Sequence, residues 1–572
     1  MSKRNNKMSD WKQRRREKKE NLQLKALLHF LEECNTPRSL SYSLLLNASI
    51  KGDTAATKQI QDLDLDVSMY VEGEFDRFSL DYQADKLVKS FTGYKDVPES
   101  ERQLAALRKF IEAEKVNRDR NDLFSRSDLV IREIVGMRVW NTLLEAQSLV
   151  AHVLGNLEPE TLVGRHGSGA TAAARGVDSD LHNKLLFSDA TAKALEYIER
   201  HLADASPYIM GALAQKQTVA GSRMIFVPKT SFIERIIALE PTLNMWLQEA
   251  AGDMIKKKLT KVGIYIDRGG PFLTTDLHGS LAEWSSAGHA DLATLDLSSA
   301  SDRWAVNVVK FLLRKTDPRW TQLLLAARSP KIMIEDRYFT LQMYASMGNA
   351  TTFPVETLLF WAIAQACNSR GLVSVYGDDI ICESNDAQYV AEVLTTLGHK
   401  INTEKSYSSG LFRESCGFDY FQGKRIFKAK HKNTRGVPYD FVHIQLHNMY
   451  WRLGSVPTCE GMVDPRHARV CNRIRGWHGN AKSIPCVPHK YGDVGWHSMQ
   501  ENWKIKRKSW IYTVEGKLFG AIPTNFNTEI GDNNLYEYGA SLAMTYALTG
   551  GMSLFSSKCA KRRWKKVNLS IS

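Results

Sequence analysis

Long apolar runs are absent from this 572-residue sequence. No segment approaches the roughly 18 consecutive apolar residues that a membrane-spanning helix needs. The basic residues near the start are not followed by an apolar stretch, so we expect no secretory signal. Cysteine is also scarce, with 8 residues and no regular pairing, which argues against a disulfide framework. We therefore expect a soluble protein of a reducing, intracellular compartment, with no membrane partner.

The sequence also lacks an acidic excess, since 76 Lys and Arg residues outnumber 63 Asp and Glu residues and give a net charge of +13. A hydrophobic content of 43% with 24% charged residues is typical of a globular protein and excludes a disordered or fibrous chain. The positive charge favours a polyanionic partner, nucleic acid before membrane. Basic residues cluster near both ends, where a solvated tail is an equally open interpretation: Lys12, Arg14, Arg15, Arg16, Lys18 and Lys19, and Lys558, Lys561, Arg562, Arg563, Lys565 and Lys566.

The most informative stretch is Tyr376-Gly377-Asp378-Asp379, which lies between two short β-branched runs. This pattern predicts a tight hairpin with Gly377 at the first central turn position. Two adjacent carboxylates at the tip of a buried ribbon are costly unless a cation binds them. Their hard oxygen atoms suit Mg²⁺, which usually binds one or two carboxylates together with substrate phosphates. An exposed acidic hairpin is the alternative that only the surrounding sequence can exclude.

A second carboxylate is predicted on a strand over residues 293–297, which Asp296 interrupts. An Asp in the middle of an apolar strand has poor β-propensity and is costly to bury. If this strand packs beside the hairpin, Asp296 approaches Asp378, as two-metal phosphoryl transfer with ions about 3.5–4 Å apart requires. The polar stretch 298–302 is predicted to open a helix, with Asp302 as its N-cap or as a site residue.

Cations are predicted near these carboxylates. Apolar runs at 223–229 and 235–241 predict a ribbon that presents Lys229 and Arg235. These cations either extend to the surface or hold the phosphates of a nucleotide. Lys405 could donate a proton to a leaving pyrophosphate. A glycine-containing loop near Gly167 permits close approach to a phosphate, although a plain flexible loop is the simpler interpretation.

Other regions offer no chemistry that the sequence can identify. Residues 1–130 are predicted to be mainly helical, as a scaffold or a partner-binding surface. The segment Tyr491-Gly492-Asp493 lacks a second Asp and strand flanks, so we do not interpret it as a second site. A group of Cys and His residues matches no standard zinc spacing and is predicted to be structural: Cys471, His478, Cys486, His489 and His497.

Together, these blocks resemble the ordered motifs of viral RNA-dependent RNA polymerases. More narrowly, the chain resembles the replicase catalytic (beta) subunit of the leviviruses, which are positive-strand RNA bacteriophages. The resemblance covers roughly residues 160–470. The stretches that carry it are Val227-Pro228-Lys229, Glu240-Pro241, residues 293–302, Ser346-Met347-Gly348-Asn349, Tyr376-Gly377-Asp378-Asp379, residues 412–417 and Asp464-Pro465-Arg466.

The resemblance implies a mixed α/β (α+β) chain with a right-hand polymerase fold of fingers, palm and thumb. The palm is expected to be built on an antiparallel sheet. We expect a helical N-terminal region over 1–130 that could dock a partner, fingers over 131–290, a palm with the catalytic motifs over 291–425, and a thumb with a basic C-terminal region over 426–572.

The resemblance also implies roles for individual residues. Asp296, Asp378 and Asp379 match the catalytic metal ligands for a pair of Mg²⁺ ions, with Mn²⁺ as a possible substitute, and Lys405 matches the general acid. Many viral polymerases have Asn four residues after Thr352, where this sequence has Glu356. The partner of Asp302 in ribose selection, Asn349 or another residue, therefore stays open. The implied nucleotide-binding residues are Lys229, Arg235, Asp302 (at the ribose 2′-hydroxyl), Ser346, Gly348 and Asn349, and the implied template-binding residues are Gly167, Ser168, Gly169 and Arg175.

The implied function is RNA-directed RNA synthesis from ribonucleoside triphosphates, which replicates a phage genome in the cytoplasm of a bacterial host. The family also implies host partners, namely the elongation factors EF-Tu and EF-Ts and a ribosomal small-subunit protein. A reverse transcriptase is one alternative, but Asp302 and Gly377 argue against it. A non-catalytic RNA-binding or packaging protein is another, and it would not explain carboxylates on both strands.

Overall fold

The computed structural model of the chain describes residues 2–523 and 560–571. The gaps within these ranges are residues 92, 95, 168, 176–178, 180–183, 185, 206, 268–271, 369–370, 432–433, 435–436, 456–461, 490–491, 494, 503–504 and 509–510. Ser168, Tyr491 and Lys558 therefore lie outside the described residues.

The described chain mixes helices with several small sheets, as the sequence predicts. Helices dominate the first part of the chain and alternate with strands from about residue 190 onward. The α-helices are α1 (Ser2–Cys34), α2 (Pro37–Ile50), α3 (Thr54–Asp62), α4 (Phe75–Ser90), α5 (Glu99–Leu123), α6 (Asp128–Val135), α7 (Met137–Leu154), α8 (Ala192–His201), α9 (Pro207–Ala214), α10 (Thr242–Leu259), α11 (Thr274–Ser286), α12 (Val306–Leu312), α13 (Pro318–Ala327), α14 (Thr352–Cys367), α15 (Ser384–Thr396), α16 (Tyr439–Leu453) and α17 (Pro465–Gly476).

The strands are β1 (Asp189–Ala190), β2 (Gln217–Thr218), β3 (Ser222–Pro228), β4 (Glu234–Leu239), β5 (Leu292–Leu295), β6 (Lys331–Ile334), β7 (Arg337–Thr340), β8 (Val373–Tyr376), β9 (Asp379–Glu383), β10 (Phe412–Ser415), β11 (Phe418–Phe421), β12 (Lys424–Ile426), β13 (Cys486–Val487), β14 (Trp496–His497), β15 (Ile505–Lys508), β16 (Ile511–Pro523) and β17 (Ala560–Ile571). Among the described helices, none has the combination of length and low polarity that a membrane crossing requires.

A three-stranded antiparallel sheet with strand order β5-β9-β8 occupies the centre of the predicted active region. Its apolar side chains enter the largest core, where Leu295, Val375 and Ile380 join residues of α7, α10, α14 and α15. A second sheet, β4-β3-β6-β7, contains the predicted ribbon as the antiparallel pair β3–β4. A third sheet, β10-β11-β12, follows the central sheet in the chain. Both the hairpin and the ribbon are confirmed.

The N-terminal helices pack against distant parts of the chain. Apolar residues of α1, α2 and α4 share one core with α16 and α17. Phe110 of α5 packs with Ile236 and Ile332 of the ribbon sheet. Phe78 of α4 stacks on Phe421 of β11, with ring centroids 4.4 Å apart. The N-terminal helices are therefore an integral part of the frame that holds the sheets.

Two local predictions are wrong. Asp296 does not lie within its strand, because β5 ends at Leu295 and the Asp296 amide donates to Ser406 Oγ at 3.1 Å. The polar stretch 298–302 does not open a helix directly: the helix starts at Val306 with Ala305 as its N-cap, so Asp302 is not the N-cap. The reason is that Trp304 and Ala305 are extended, and Ala305 pairs with Met343 in an isolated antiparallel bridge. Ser299, with φ of 55°, also interrupts the polar stretch with a left-handed backbone. Residues Ser301–Arg303 instead form a short 3-10 turn.

Phe78 offers a test of how the N-terminal helices support the fold, because its side chain is fully buried between α4 and the β10–β12 sheet. We expect Phe78→Ala to lower the free energy of unfolding by about 3–5 kcal/mol, since a large cavity forms. The measurement is urea denaturation followed by tryptophan fluorescence. Leu44→Ala on α2 is the control, because Leu44 is 74% exposed. Equal losses in the two variants would contradict the packing described above.

Candidate active site

The β8–β9 hairpin presents the two adjacent carboxylates, and its turn requires glycine. Gly377 has φ of 61°, and a Cβ atom there would lie 2.4 Å from the Phe353 ring. The Gly377 amide donates to Thr357 Oγ1 of α14 at 2.9 Å, and the rings of Phe353 and Tyr376 pack edge to face with centroids 4.9 Å apart. Helix α14 therefore fixes the turn and, with it, the backbone of Asp378.

Strand register brings Asp296 to the same end of the sheet. Leu295 pairs with Ile380 in the antiparallel β5–β9 ladder, so the next position along each strand sets Asp296 opposite Asp379. Beyond this point, Asn402 Nδ2 donates to Asp296 Oδ2 at 2.6 Å. The Asn402 amide also donates to the Asp296 carbonyl oxygen at 2.9 Å. The segment that follows α15 thus holds Asp296 through both its side chain and its backbone.

The electrostatics of the three carboxylates reflect their proximity. Burial raises the pKa of Asp296, while Lys405 and Asn402 partly counteract this effect. Burial also raises the pKa of Asp378. Burial and the Asp378 carboxylate raise the pKa of Asp379 to about 7. The negative charges are therefore held together at a cost that a bound cation would relieve.

Lys405 forms an ion pair with one of these carboxylates. Its Nζ lies 3.9 Å from Asp296 Oδ2, and its side chain is 46% exposed. Desolvation opposes the charged form, but the carboxylates of Glu414 and Asp296 outweigh it and raise the pKa of Lys405. Glu414 itself, on β10, is paired with Lys428 at 2.6 Å. Lys405 is thus kept protonated beside the predicted catalytic carboxylates.

The β3–β4 ribbon supplies two further cations. Lys229 and Arg235 are exposed at the end of the ribbon, and both favour the ionised forms of Asp302 and Asp378. Desolvation by the surrounding protein and repulsion from Arg235 lower the pKa of Lys229. Burial raises the pKa of Asp302 to about 6. The ribbon therefore places positive charge near Asp302 and Asp378.

The loop that contains Ser346, Gly348 and Asn349 packs closely on the ribbon. Gly348 has φ of 108°, and a Cβ atom there would lie 2.3 Å from the Ala238 carbonyl oxygen. Ser346 and Asn349 are buried, and Asn349 Oδ1 accepts hydrogen bonds from the Thr351 amide at 2.8 Å and from Thr351 Oγ1 at 2.6 Å. The observed role of these side chains is to shape the loop, and contact with a nucleotide stays a prediction.

The predicted template loop is tied to the protein by Lys184, whose side chain is buried. Lys184 Nζ donates to the Gly167 carbonyl oxygen at 2.6 Å and also to that of Gly169. Arg175 Nε donates to the Ala172 carbonyl oxygen at 2.8 Å. Ser168 lies outside the described residues. Template contact by this loop stays a prediction, and the buried Lys184 is a feature that the motif did not indicate.

The donor atoms around the three carboxylates indicate which metal ion could bind there. Within the described ranges, no three His, Cys, Asp or Glu side chains form a preassembled metal cluster. Mg²⁺, however, usually binds one or two protein carboxylates and completes its shell with water and phosphate. Asp296, Asp378 and Asp379 provide hard oxygen donors of this kind and repel one another without a cation. The residues present therefore fit such an ion.

Four residues near the site were missed by sequence reasoning or left without a role. Asn402 and Glu414 contact or influence Asp296 and Lys405, as described above. Asn117 of α5 donates to the Asp302 carbonyl oxygen at 2.7 Å, and Glu356 of α14 accepts from Ser301 Oγ at 2.8 Å. Glu356 had a signal, as the residue in place of an expected Asn, and Glu414 lies within the motif over residues 412–417.

The chain is similar to several phage proteins of known name. The chain is 32% identical over 361 residues to the RNA-directed RNA polymerase subunit beta of Qbeta virus (strain MX1), covering 61% of this chain and 58% of that one. It is 35% identical over 278 residues to the RNA-directed RNA polymerase beta chain of Escherichia phage MS2, covering 47% and 48%. For the corresponding subunit of Enterobacteria phage SP, the identity is 29% and the coverage 77% and 75%. A solved structure described as an RdRp complex overlaps with a TM-score of 0.38 at 13% identity, covering 59% of this chain and 33% of that one.

One protein-family model matches most of the sequence. The model of the family described as RNA replicase, beta-chain, matches residues 40–516. The chain therefore belongs to the RNA replicase beta-chain family, as the resemblance in its motifs predicts. The match includes the central sheet, the ribbon and α5. The alignments with the Qbeta (strain MX1) and MS2 proteins span only about half the length of those relatives.

The raised pKa of Asp379 leads to a pH prediction for the metal-free protein. Between the ordinary value of 3.8 and about 7, the folded state retains a proton that the unfolded state has lost. The folded state therefore loses stability as pH rises through this window. We expect Asp379→Asn to melt above the wild type at pH 8 in chelator, with a gain that disappears toward pH 4.

The measurement is the melting temperature of each variant across this pH range. Asp119→Asn is the control, because it removes the same charge from an exposed position on α5. A gain for Asp379→Asn that does not change with pH, or that equals the gain of the control, would contradict the account.

Proposed function

We propose that this chain is an RNA-directed RNA polymerase that adds ribonucleoside triphosphates to an RNA 3′ end and releases pyrophosphate. The observation that carries the proposal is the β5–β9 register, which aligns Asp296 with the Asp378–Asp379 hairpin. Cations on two sides of these carboxylates, Lys405 and the β3–β4 ribbon, fit a triphosphate substrate. The names of the relatives from Qbeta virus, MS2 and SP support the same activity.

Asp296, Asp378 and Asp379 would hold divalent cations in this proposal, Mg²⁺ with Mn²⁺ as a substitute. A pair of such ions, when bound, activates an attacking hydroxyl and stabilises the charge on the leaving oxygen. Asn402 orients Asp296 for this task through its 2.6 Å hydrogen bond. Gly377 and Thr357 keep the backbone of Asp378 in place.

Other side chains act on the nucleotide. Lys229 and Arg235 bind and orient the triphosphate, and they neutralise negative charge that develops on the leaving pyrophosphate. Lys405, which its carboxylate neighbours keep protonated, gives a proton to the pyrophosphate oxygen as the P–O bond breaks. Asp302 accepts a hydrogen bond from the ribose 2′-hydroxyl. This last role distinguishes the site from that of a reverse transcriptase, which would exclude the hydroxyl.

The wider assignments follow the same proposal. The central sheet lies in the palm, the β3–β4 ribbon in the fingers, and α16 and α17 in the thumb, with the boundaries given in the sequence analysis. The net charge of +13 holds template and product without reading sequence. Replication of a phage genome in the bacterial cytoplasm, with EF-Tu, EF-Ts and a ribosomal small-subunit protein, is proposed from family membership alone.

Asp378→Asn separates a polymerase from a non-catalytic RNA-binding protein. We expect nucleotide incorporation on a short RNA with Mg²⁺ to fall by about a thousandfold or more, because the carboxylate that holds the ion is lost. RNA binding should be unchanged or slightly tighter, because one negative charge is removed. The assay compares purified protein with and without bacterial extract, which supplies host proteins. Incorporation near the wild-type rate would contradict the site assignment, and no incorporation by the wild type in extract would favour the binding protein.

The proposed role of Lys405 as a general acid can be tested, because its loss should lower the rate of incorporation and leave RNA binding unchanged. We expect Lys405→Leu to lower the incorporation rate by about a hundredfold or more, as loss of a general acid does. Lys430→Leu is the matched control, because Lys430 is a cation in the same region with no assigned proton transfer. Equal rate losses in the two variants would contradict proton transfer by Lys405 and indicate that only its positive charge matters.

A further inference from the structure

The turn that carries Asp302 is held by residues from distant parts of the chain. Asn117 Nδ2 of α5 donates to the Asp302 carbonyl oxygen at 2.7 Å. On helix α14, Glu356 Oε2 accepts a hydrogen bond from Ser301 Oγ at 2.8 Å. Arg303 donates to the Gly398 carbonyl oxygen at 3.1 Å and pairs with Glu112 of α5 at 2.9 Å. Three consecutive residues of the turn therefore have an external anchor.

The turn has little regular structure of its own to fix its position. Ser299 adopts a left-handed backbone, and the Asp302 amide donates only to the nearby Ser299 carbonyl oxygen at 3.1 Å. Among the described residues, no hydrogen bond to the Asp302 carboxylate is found. Its position therefore depends on the anchors, of which Asn117 contacts Asp302 itself.

Helix α5 offers an internal comparison for Asn117. The Asn117 side chain is fully buried, and a buried amide is costly unless it is hydrogen-bonded. One turn later, Asn121 makes similar bonds, with Nδ2 donating to the Gln342 carbonyl oxygen at 2.8 Å and Oδ1 accepting from the Asn307 amide at 2.8 Å. Both residues attach α5 to the region around the site, but only Asn117 contacts the Asp302 turn.

We propose that Asn117 is a specificity-determining positioning residue, which, with Glu356 on the other side of the turn, holds the Asp302 carboxylate where the ribose 2′-hydroxyl binds. The inference rests on the proposed function and extends it to the N-terminal helices, for which the sequence indicates no chemistry. Neither Asn117 nor Glu356 needs to contact the nucleotide.

The physical reason is that hydrogen-bond selectivity depends on position. A site built to bind a substrate hydroxyl rejects the analogue that lacks it, and a displacement of about 1 Å can cost about a hundredfold in rate. A displaced Asp302 would therefore weaken the use of ribonucleotides, whereas a deoxyribonucleotide makes no bond there to lose. A purely structural defect would lower both activities together.

The test uses the full chain with Mg²⁺ and measures kcat/KM for a ribonucleotide and for its deoxyribonucleotide. We expect Asn117→Leu, which keeps the size but removes the donor, to lower the ratio of these values by about tenfold or more. Asn121→Leu is the matched control and should leave the ratio unchanged. A ratio unchanged in Asn117→Leu, or lowered equally in Asn121→Leu, would overturn the proposal.

The opposite side of the turn provides an independent variant pair, which also serves if Asn117→Leu does not fold. Glu356→Gln keeps an acceptor for Ser301 and should keep the ratio near that of the wild type, whereas Ser301→Ala should lower it. Equal ratios in these two variants would count against the proposal. Absence of ribonucleotide incorporation by the wild type would instead refute the proposed function, which separates the two failures.

Discussion

Repulsion among the carboxylates of Asp296, Asp378 and Asp379 is the constraint on which the rest of the site depends. Burial raises the pKa of each group, and Asp378 adds to the effect at Asp379. The carboxylates stay together because the backbone holds them: the β5–β9 ladder aligns one strand end with the hairpin, and the Gly377 turn is fixed against α14. Folding thus maintains, at these strand ends, an electrostatic cost that a bound cation would relieve.

The positively charged side chains near these carboxylates, and the residues that hold the Asp302 turn, come from separate parts of the chain. Lys405 arrives on the segment after α15, and the β3–β4 ribbon brings Lys229 and Arg235. The N-terminal helices hold the ribbon sheet through Phe110 and the β10–β12 sheet through Phe78. Helix α5 also contacts the Asp302 turn. The N-terminal helices therefore connect the supporting frame to the site, and the family match includes most of them.

Sequence reasoning predicted features with a local signal. The hairpin was predictable because Gly377 and its β-branched flanks specify a turn, and the ribbon because its apolar runs are short and regular. The start of α12 was not predictable, because the extended Ala305 just before it pairs with the distant residue Met343. Asn117 and Asn402 gave no signal at all, since their bonds to Asp302 and Asp296 span 185 and 106 residues. Family motifs identified Ser346 and Asn349, but they could not show that Asn349 Oδ1 accepts hydrogen bonds from Thr351 of the same loop.

The most direct test of the account is whether the carboxylates bind a divalent ion in the absence of RNA and nucleotide. Mn²⁺ binding to the purified chain can be followed by electron paramagnetic resonance for the wild type, Asp296→Asn, Asp378→Asn and the exposed control Asp119→Asn. The account predicts binding by the wild type and the control, with affinity weakened by about tenfold or more in both site variants. Equal affinity in all four proteins would contradict the claim that these strand ends form one cation site.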